Sequence, residues 1–254
     1  MNWKFLNSGV NSGGFNMDFD LFLSENVQPD TAYLRLYQWH PYCISLGANQ
    51  SEDEIDLKKT KYEMIDVVKR PTGGRAILHS MELTYAVIYP IGENTSAKNL
   101  YNEINLALRK GLIFFDKKLD AVELEQKQPD FKEFYKTDVS AVCFAVSAKS
   151  ELNLNGKKLV GSAQRKLGNV ILQHGSILCG TFHQKIVEYL KIDDVKKNNM
   201  LNEIKSTTID LKTALNKEID YRKLALSIKK GFEVHFNCSF EETEQTELEI
   251  NLIA

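Results

Sequence analysis

Ser150-Glu151-Leu152-Asn153-Leu154-Asn155-Gly156-Lys157-Lys158-Leu159-Val160-Gly161-Ser162-Ala163-Gln164 lies past the middle of a chain of 254 residues. Ser150–Leu154 and Lys158–Ala163 both read as strands. Asn155-Gly156 between them is the strongest short-range hairpin signal, because both central residues of a tight hairpin turn need positive φ. This hairpin makes the middle of the chain β. Outward from it, Thr31–Trp39, Cys43–Leu46, Asp66–Val68, Leu83–Tyr89, Ala141–Ser147 and Val170–Leu178 also read as strands, on their β-branched and aromatic content.

Helical patterns flank this region. Asn16–Glu25 places Met17, Leu21 and Phe22 on one face, and Asp53–Glu63 has helical composition. In Asn99–Phe115, Ile104, Leu108 and Leu112 recur every four residues. Phe182–Leu190 is a further helix, and Asp220 caps another that runs to about Phe236 with Leu224, Ile228 and Phe232 inward. Asn7–Gly14 predicts a flexible loop. Between Asp116 and Asp138, 12 of 23 residues are charged, which predicts an exposed, mobile excursion. Strands in mid-chain, helices at both ends and a helical last third predict one α+β domain over residues 1–254.

Composition narrows the function. A net charge of −2 leaves no bulk electrostatic footprint for nucleic acid. No apolar run approaches the ~18–20 residues of a membrane span. Met1-Asn2-Trp3-Lys4-Phe5 is not an apolar leader. Cys43, Cys143, Cys179 and Cys238 lie far apart without a C-x-x-C, so the common zinc and redox spacings are absent and reduced thiols in a cytoplasm are expected.

Four motifs can carry chemistry. In Arg70-Pro71-Thr72-Gly73-Gly74-Arg75-Ala76-Ile77-Leu78-His79, adjacent glycines let backbone N–H groups approach a carbonyl, carboxylate or phosphate, with Arg70 and Arg75 adding charge. A tight turn between strands would read the same way. The Gly-Lys-Ser/Thr ending of a phosphate-binding P-loop is missing. In Lys157-Lys158-Leu159-Val160-Gly161-Ser162-Ala163, small residues make room for a ligand beside an ammonium that can depress a thiol pKa or stabilise negative charge. A solvated hairpin tip is the alternative. Gln173-His174-Gly175-Ser176 holds a histidine on an apolar strand, where a hydrogen-bonded core residue is the commoner outcome, and His79 is read alike. Cys143 ends the charged excursion and precedes the Lys158 hairpin, although a buried cysteine is usually inert. Cys43 reads as core. Cys179 and Cys238 have nothing nearby to activate them, and His40 and His183 carry no signal.

Taken together, in this order and spacing, these motifs resemble the family of lipoate-protein ligases and lipoyl(octanoyl) transferases, whose catalytic fold is shared with biotin–protein ligases. The resemblance covers most of the chain. It begins at Asn16-Met17-Asp18 and passes through Trp39, Ser45-Leu46-Gly47 and Gln50. It becomes specific at Arg70–His79, and continues through Leu83-Thr84-Tyr85, Lys158–Gln164 and Gln173–Ser176. It implies a single catalytic domain with mixed β-sheets flanked by helices. It implies handling of a medium-chain acyl group bound for a lysine of a lipoyl-carrier domain.

Two chemistries compete within the family. A ligase makes acyl-AMP from ATP, with magnesium, and a free acid. A transferase takes octanoyl from acyl carrier protein through an acyl-cysteine and needs no cofactor. The chain has no room for the accessory domain typical of bacterial ligases. Cys143 stands upstream of Lys158, as in the branch that transfers octanoyl from acyl carrier protein to the glycine-cleavage H-protein. That branch commonly reads Cys-Phe, then Pro-Ser and an aromatic-Glu segment, whereas Cys143–Glu151 here has no proline. An amidotransferase moving octanoyl from H-protein to E2 lipoyl domains, and a non-catalytic carrier-binding protein, are further alternatives.

The resemblance implies Cys143 as nucleophile and Lys158 beside it. Arg70, Gly73, Gly74, Arg75, His79, Gly161, Ser162, Ala163, His174 and Gly175 are then expected around the substrate, with no metal. Expected partners are octanoyl-acyl carrier protein and a lipoyl-carrier protein (H-protein or E2 domain), with no nucleic acid and no membrane. Such carriers are generally acidic. Lys196–Lys230, with 9 basic and 4 acidic residues, is a candidate docking face as well as an ordinary solvated one.

Overall fold

The computed structural model describes residues 1–93, 95–125 and 151–244. Cys143, the expected strand Ala141–Ser147 and most of the charged stretch lie outside the described residues. An eight-stranded mixed sheet runs in the order β11 (Phe240–Glu242), β1 (Asn2–Asn11), β2 (Thr31–Trp39), β6 (Glu82–Pro90), β10 (Val170–Leu178), β9 (Lys157–Leu167), β8 (Leu152–Leu154) and β7 (Val122–Leu124). A small mixed sheet has the order β4 (Asp66–Lys69), β3 (Cys43–Leu46) and β5 (Ile77–His79).

The alternation within β2 explains the layers. Leu34 and Leu36 point to one face and join a core with α3 (Ala97–Phe115) and α6 (Tyr221–Phe236). Tyr33 and Tyr37 point to the other, against α1 (Gly13–Asn26). Both faces are covered, so apolar residues run almost continuously along β2. Asp220 caps α6 through its side chain, as its position before the periodic stretch predicts. Residues 181–236 carry a 3-10 segment (Thr181–Tyr189), α4 (Asp194–Thr207), α5 (Leu211–Leu215) and α6. Among the described residues, no helix is long and apolar enough to cross a membrane.

Three local readings change. The Asn/Ser/Gly-rich stretch expected as a loop is largely the end of β1, with a register shift at Asn7/Gly9 and Gly9 at φ 65°. Its parallel partner β2, reached through α1, supplies the hydrogen bonds that composition does not reveal. On α1 the buried residues are Gly13, Asn16, Met17, Phe19, Asp20, Leu23 and Ser24, while Leu21 and Phe22 stay half-exposed. The start of the charged stretch is also structured: Lys117–Ala121 is a 3-10 turn leading into β7, with Leu119 and Val122 fully buried. Two apolar anchors outweigh the charges around them there.

The helices α3 and α6 cross at a glycine contact. A methyl on Gly231 would run into the backbone of Gly111 and Ala107, and one on Gly111 would lie 2.7 Å from Ile228 Cα. Alanine gains about 1 kcal/mol of helix propensity over glycine. Overpacking against backbone costs about 1–3 kcal/mol, so Gly231→Ala should lower the melting temperature. An unchanged or raised melting point would refute this reading of the crossing.

Candidate active site

A narrow pocket opens between β9–β10 of the large sheet and β3–β5 of the small one, and encloses about 450 Å³ including its mouth. Its floor follows from the β9–β10 register, in which Gly161, Ser162 and Ala163 face Ser176, Gly175 and His174. Gly175 must be glycine, since a Cβ would meet the Gly161 carbonyl and lie 2.8 Å from the Tyr85 ring. The wall brings together eight of the expected residues: Arg70, His79, Lys158, Gly161, Ser162, Ala163, His174 and Gly175. Gly73, Gly74 and Arg75 are not on it.

The arginine–glycine turn is braced from within. Arg70 donates from Nη1 to the Ser45 carbonyl (2.9 Å) and from Nη2 to the carbonyls of Gly73 (2.9 Å) and Arg75 (2.8 Å). Gly74 has φ 94°, which disfavours a side chain there, and its carbonyl packs so tightly on Gly47 that a Cβ at Gly47 would run into it. This half of the motif builds the turn. Arg75 points to Glu54 at 3.9 Å.

Two carboxylate–histidine pairs lie behind the wall. His79 stacks on Trp39 with centroids 4.1 Å apart, and bonds Ser45 Oγ through Nε2 (2.7 Å) and Glu82 through Nδ1 (2.8 Å). Thr84 and Ser176 donate to the same Glu82 oxygen. Burial pushes the Glu82 carboxyl up, but the His79 charge and these donors hold it below the usual carboxylate value. His174 shares a 2.7 Å hydrogen bond with Thr72 Oγ1, and its Nδ1 lies 3.5 Å from Asp20. Asp20 is fully buried and takes a 2.7 Å bond from Arg35, itself fully buried. Burial works to raise the Asp20 carboxyl, and Arg35 and His174 outweigh it. Burial lowers His174 more than Asp20 raises it.

Lys158 comes from the start of β9. Pairing with β8 skips one residue, matching Leu152 to Val160 and Asn153 to Lys158, and leaves Leu159 as a bulge. Bulges re-aim side chains. Lys158 is 2% exposed, so it is no solvated tip; Lys157, beside it, takes the half-exposed place. Its Nζ lies 3.0 Å from Glu151 Oε2, also buried. The Ser162 N–H, a candidate oxyanion donor, is engaged by Glu151 Oε1 at 3.0 Å.

Sequence reasoning missed Asp20, Arg35, Glu82 and Glu151. Arg35 did leave a signal, as a lone charge inside an apolar strand. Burial pushes the thiols of Cys43 and Cys179 well up, and that of Cys238 up as well, so none of the three is poised as a thiolate. His183 is satisfied by the Gly180 carbonyl and Thr208, while His40 stays exposed and off the pocket wall. Much of the positive charge of Lys196–Lys230 is engaged locally, with Lys212, Lys217, Lys229 and Lys230 all paired to carboxylates.

A family model for the lipoyl protein ligase A/B catalytic domain matches residues 12–233. A protein named octanoyltransferase LipM from Clostridioides difficile (strain 630) is 33% identical over 261 residues, covering 99% of this chain and 93% of its own. Octanoyltransferase LipM of Bacillus subtilis (strain 168) is 31% identical over 259 residues, covering 99% and 92%. Among solved structures, lipoate-protein ligase A bound with ATP superposes with a TM-score of 0.76 at 19% identity, covering 99% of this chain and 92% of that one. At that identity it speaks for the fold alone.

The buried charges set an acid limit on stability. His174 and His183 are both held below their ordinary value of 6.5, first by burial. The unfolded chain therefore takes up protons that the folded chain refuses. Stability is full above about pH 6.5 and declines as pH falls toward the lowered folded values. The melting temperature should drop on this acid side, with a shallower slope in His174→Gln; equal slopes would exclude the assignment. Asp20→Asn, which strands the Arg35 guanidinium, should cost about 3–5 kcal/mol by denaturant titration.

Proposed function

The chain belongs to the lipoyl protein ligase A/B catalytic-domain family, and on that premise we propose the route by which it works. It is a transferase that moves an octanoyl group in lipoate assembly, with a lipoyl-carrier domain as the substrate it modifies. In our reading, Cys143 as a thiolate attacks the octanoyl thioester of acyl carrier protein. The carrier thiol leaves and an acyl-cysteine forms. The amine of the acceptor lysine then attacks, loses its proton, and expels the cysteine sulfur as the amide forms. Thioester exchange is close to isoenergetic and amide formation is downhill, so neither step consumes nucleotide.

The observation that carries this reading is the buried ammonium of Lys158 on the wall of an otherwise mostly apolar slot. There it can stabilise the tetrahedral oxyanion and favour a nearby thiolate. Cys143 lies in the chain between Glu125 and Glu151, which meet each other: the Glu125 N–H bonds the Glu151 carbonyl at 2.8 Å. Both ends of that segment therefore sit beside the partner of Lys158. The raised thiols of the other three cysteines point the same way. For the acyl chain, burying a CH₂ yields about 0.8 kcal/mol, so the seven saturated carbons of octanoyl offer roughly 5 kcal/mol. We assign H-protein as acceptor on the branch resemblance around Cys143 and Lys158.

Incubation with octanoyl-acyl carrier protein should add the mass of one octanoyl group to the intact chain, and Cys143→Ala should abolish the adduct. Lys158→Ala should slow turnover by about 10²–10³-fold, the usual loss on removing an oxyanion donor. An unmodified wild-type chain that makes product only with ATP and free acid would establish ligase chemistry instead.

A further inference from the structure

Glu151 spans the bulge of β9. One carboxylate oxygen lies 3.0 Å from Lys158 Nζ and the other accepts the Ser162 N–H at 3.0 Å. Its own backbone is pinned by Glu125 at the sheet edge. Ser162 is fixed from its other side by Tyr85 Oη at 2.6 Å. The carboxylate therefore ties together the two groups of β9 that the hairpin presents to the pocket.

We propose that Glu151 is a positioning residue for octanoyl transfer: its carboxylate holds the Lys158 side chain as a correctly aimed ammonium in the dry pocket. The inference rests on the reading of Lys158 given above. The physical argument is short. Lys158 is 2% exposed, and taking a charged group out of water is costly unless an opposite charge stands beside it. A neutral amine can neither depress a thiol pKa nor stabilise an oxyanion as a cation can. Another charge must offset the desolvation. Among the described residues, the other charged or titratable groups bordering this end of the pocket include Arg70, His79 and His174, none of which offers negative charge. Just past β7, Glu125 accepts from Asn153, and from α4 the Lys205 carbonyl accepts from Lys157. Among the described residues, Glu151 brings a carboxylate into contact with the ammonium, at 3.0 Å.

The test is the pH profile of octanoyl transfer from octanoyl-acyl carrier protein to a lipoyl-carrier protein, using the full chain. Glu151→Gln keeps the acceptor for the Ser162 N–H but removes the charge. Its basic limb in kcat should move about 1–3 units to lower pH, the usual effect of an opposite charge at this range. The deficit against wild type should then grow about tenfold per unit across that window and shrink toward pH 6, with KM for the carrier nearly unchanged. Glu151→Asp restores the charge one methylene short. It should keep the wild-type basic limb while losing rate, and it serves as the test should the Gln variant fail to fold.

A folded Glu151→Gln chain whose rate falls by one constant factor at every pH, or does not fall, overturns the proposal. So does a Glu151→Asp chain whose basic limb moves down. Lys158→Ala, run alongside, separates the two failures. If it is as active as wild type, the lysine reading itself has failed and takes this inference with it. If it is crippled while the Gln profile matches wild type, this inference alone is wrong.

Discussion

A guanidinium and a carboxylate with no access to water sit at the root of this structure. Arg35 rises from the middle of β2, Asp20 descends from α1, and they meet at 2.7 Å with both side chains fully buried. Such a pair gains little net stability against a hydrophobic substitute, because each ion must first be desolvated. What it supplies is position. Arg35 also bonds the Asn16 carbonyl and side chain and Ser8 Oγ, while Tyr37 donates to Asp20. These bonds hold α1 at one height and rotation above the sheet. His174 leans on the same carboxylate, so the position of α1 is transmitted to the pocket floor.

The pocket shows how polar groups can border a mainly apolar slot without drawing water into it. Each charged or titratable side chain on the wall is engaged by a partner: Arg70 by turn carbonyls, His79 by Glu82 and Ser45, His174 by Thr72 and Asp20, Lys158 by Glu151. Polar atoms satisfied within the protein need no water to follow them inside. The glycines serve the same end differently. Gly175 lets Tyr85 press against the strand, and Gly47 accepts the carbonyl of Gly74. The sheets can then close on a narrow slot.

How much of this was legible in the chain depends on the range of the interaction. Strands Thr31–Trp39, Cys43–Leu46 and Val170–Leu178 could be read to the residue, because a run of apolar and β-branched residues buried on both faces says so locally. The hairpin turn was equally plain in Asn155-Gly156, both at positive φ. The end of β1 was not, since Asn, Ser and Gly there are held by a parallel neighbour 20-odd residues on and by a bulge at Gly9. Within the site, the wall residues were visible as motifs while their partners were not. Asp20 and Glu82 look like ordinary surface acids until the fold buries them. Glu151 was the nearest miss. It precedes the hairpin turn by a few residues, and only the bulge at Leu159 brings its carboxylate to both Lys158 and Ser162.

Fold and chemistry separate cleanly here. The chain superposes on an ATP-bound lipoate-protein ligase, yet relatives such as the Clostridioides difficile and Bacillus subtilis proteins, similar over nearly its full length, are named octanoyltransferases. One scaffold thus hosts two ways of activating a medium-chain acid. Both need an apolar slot and a backbone that comes close to the acyl carbonyl, and the strands with their glycines provide these. They differ in what stabilises the leaving group and the charge at that carbonyl. A nucleotide route must accommodate phosphates; a thioester route needs a sulfur and a nearby cation. The Lys158 ammonium, buried and held by Glu151, is placed where it could meet a developing charge at a carbonyl in the pocket.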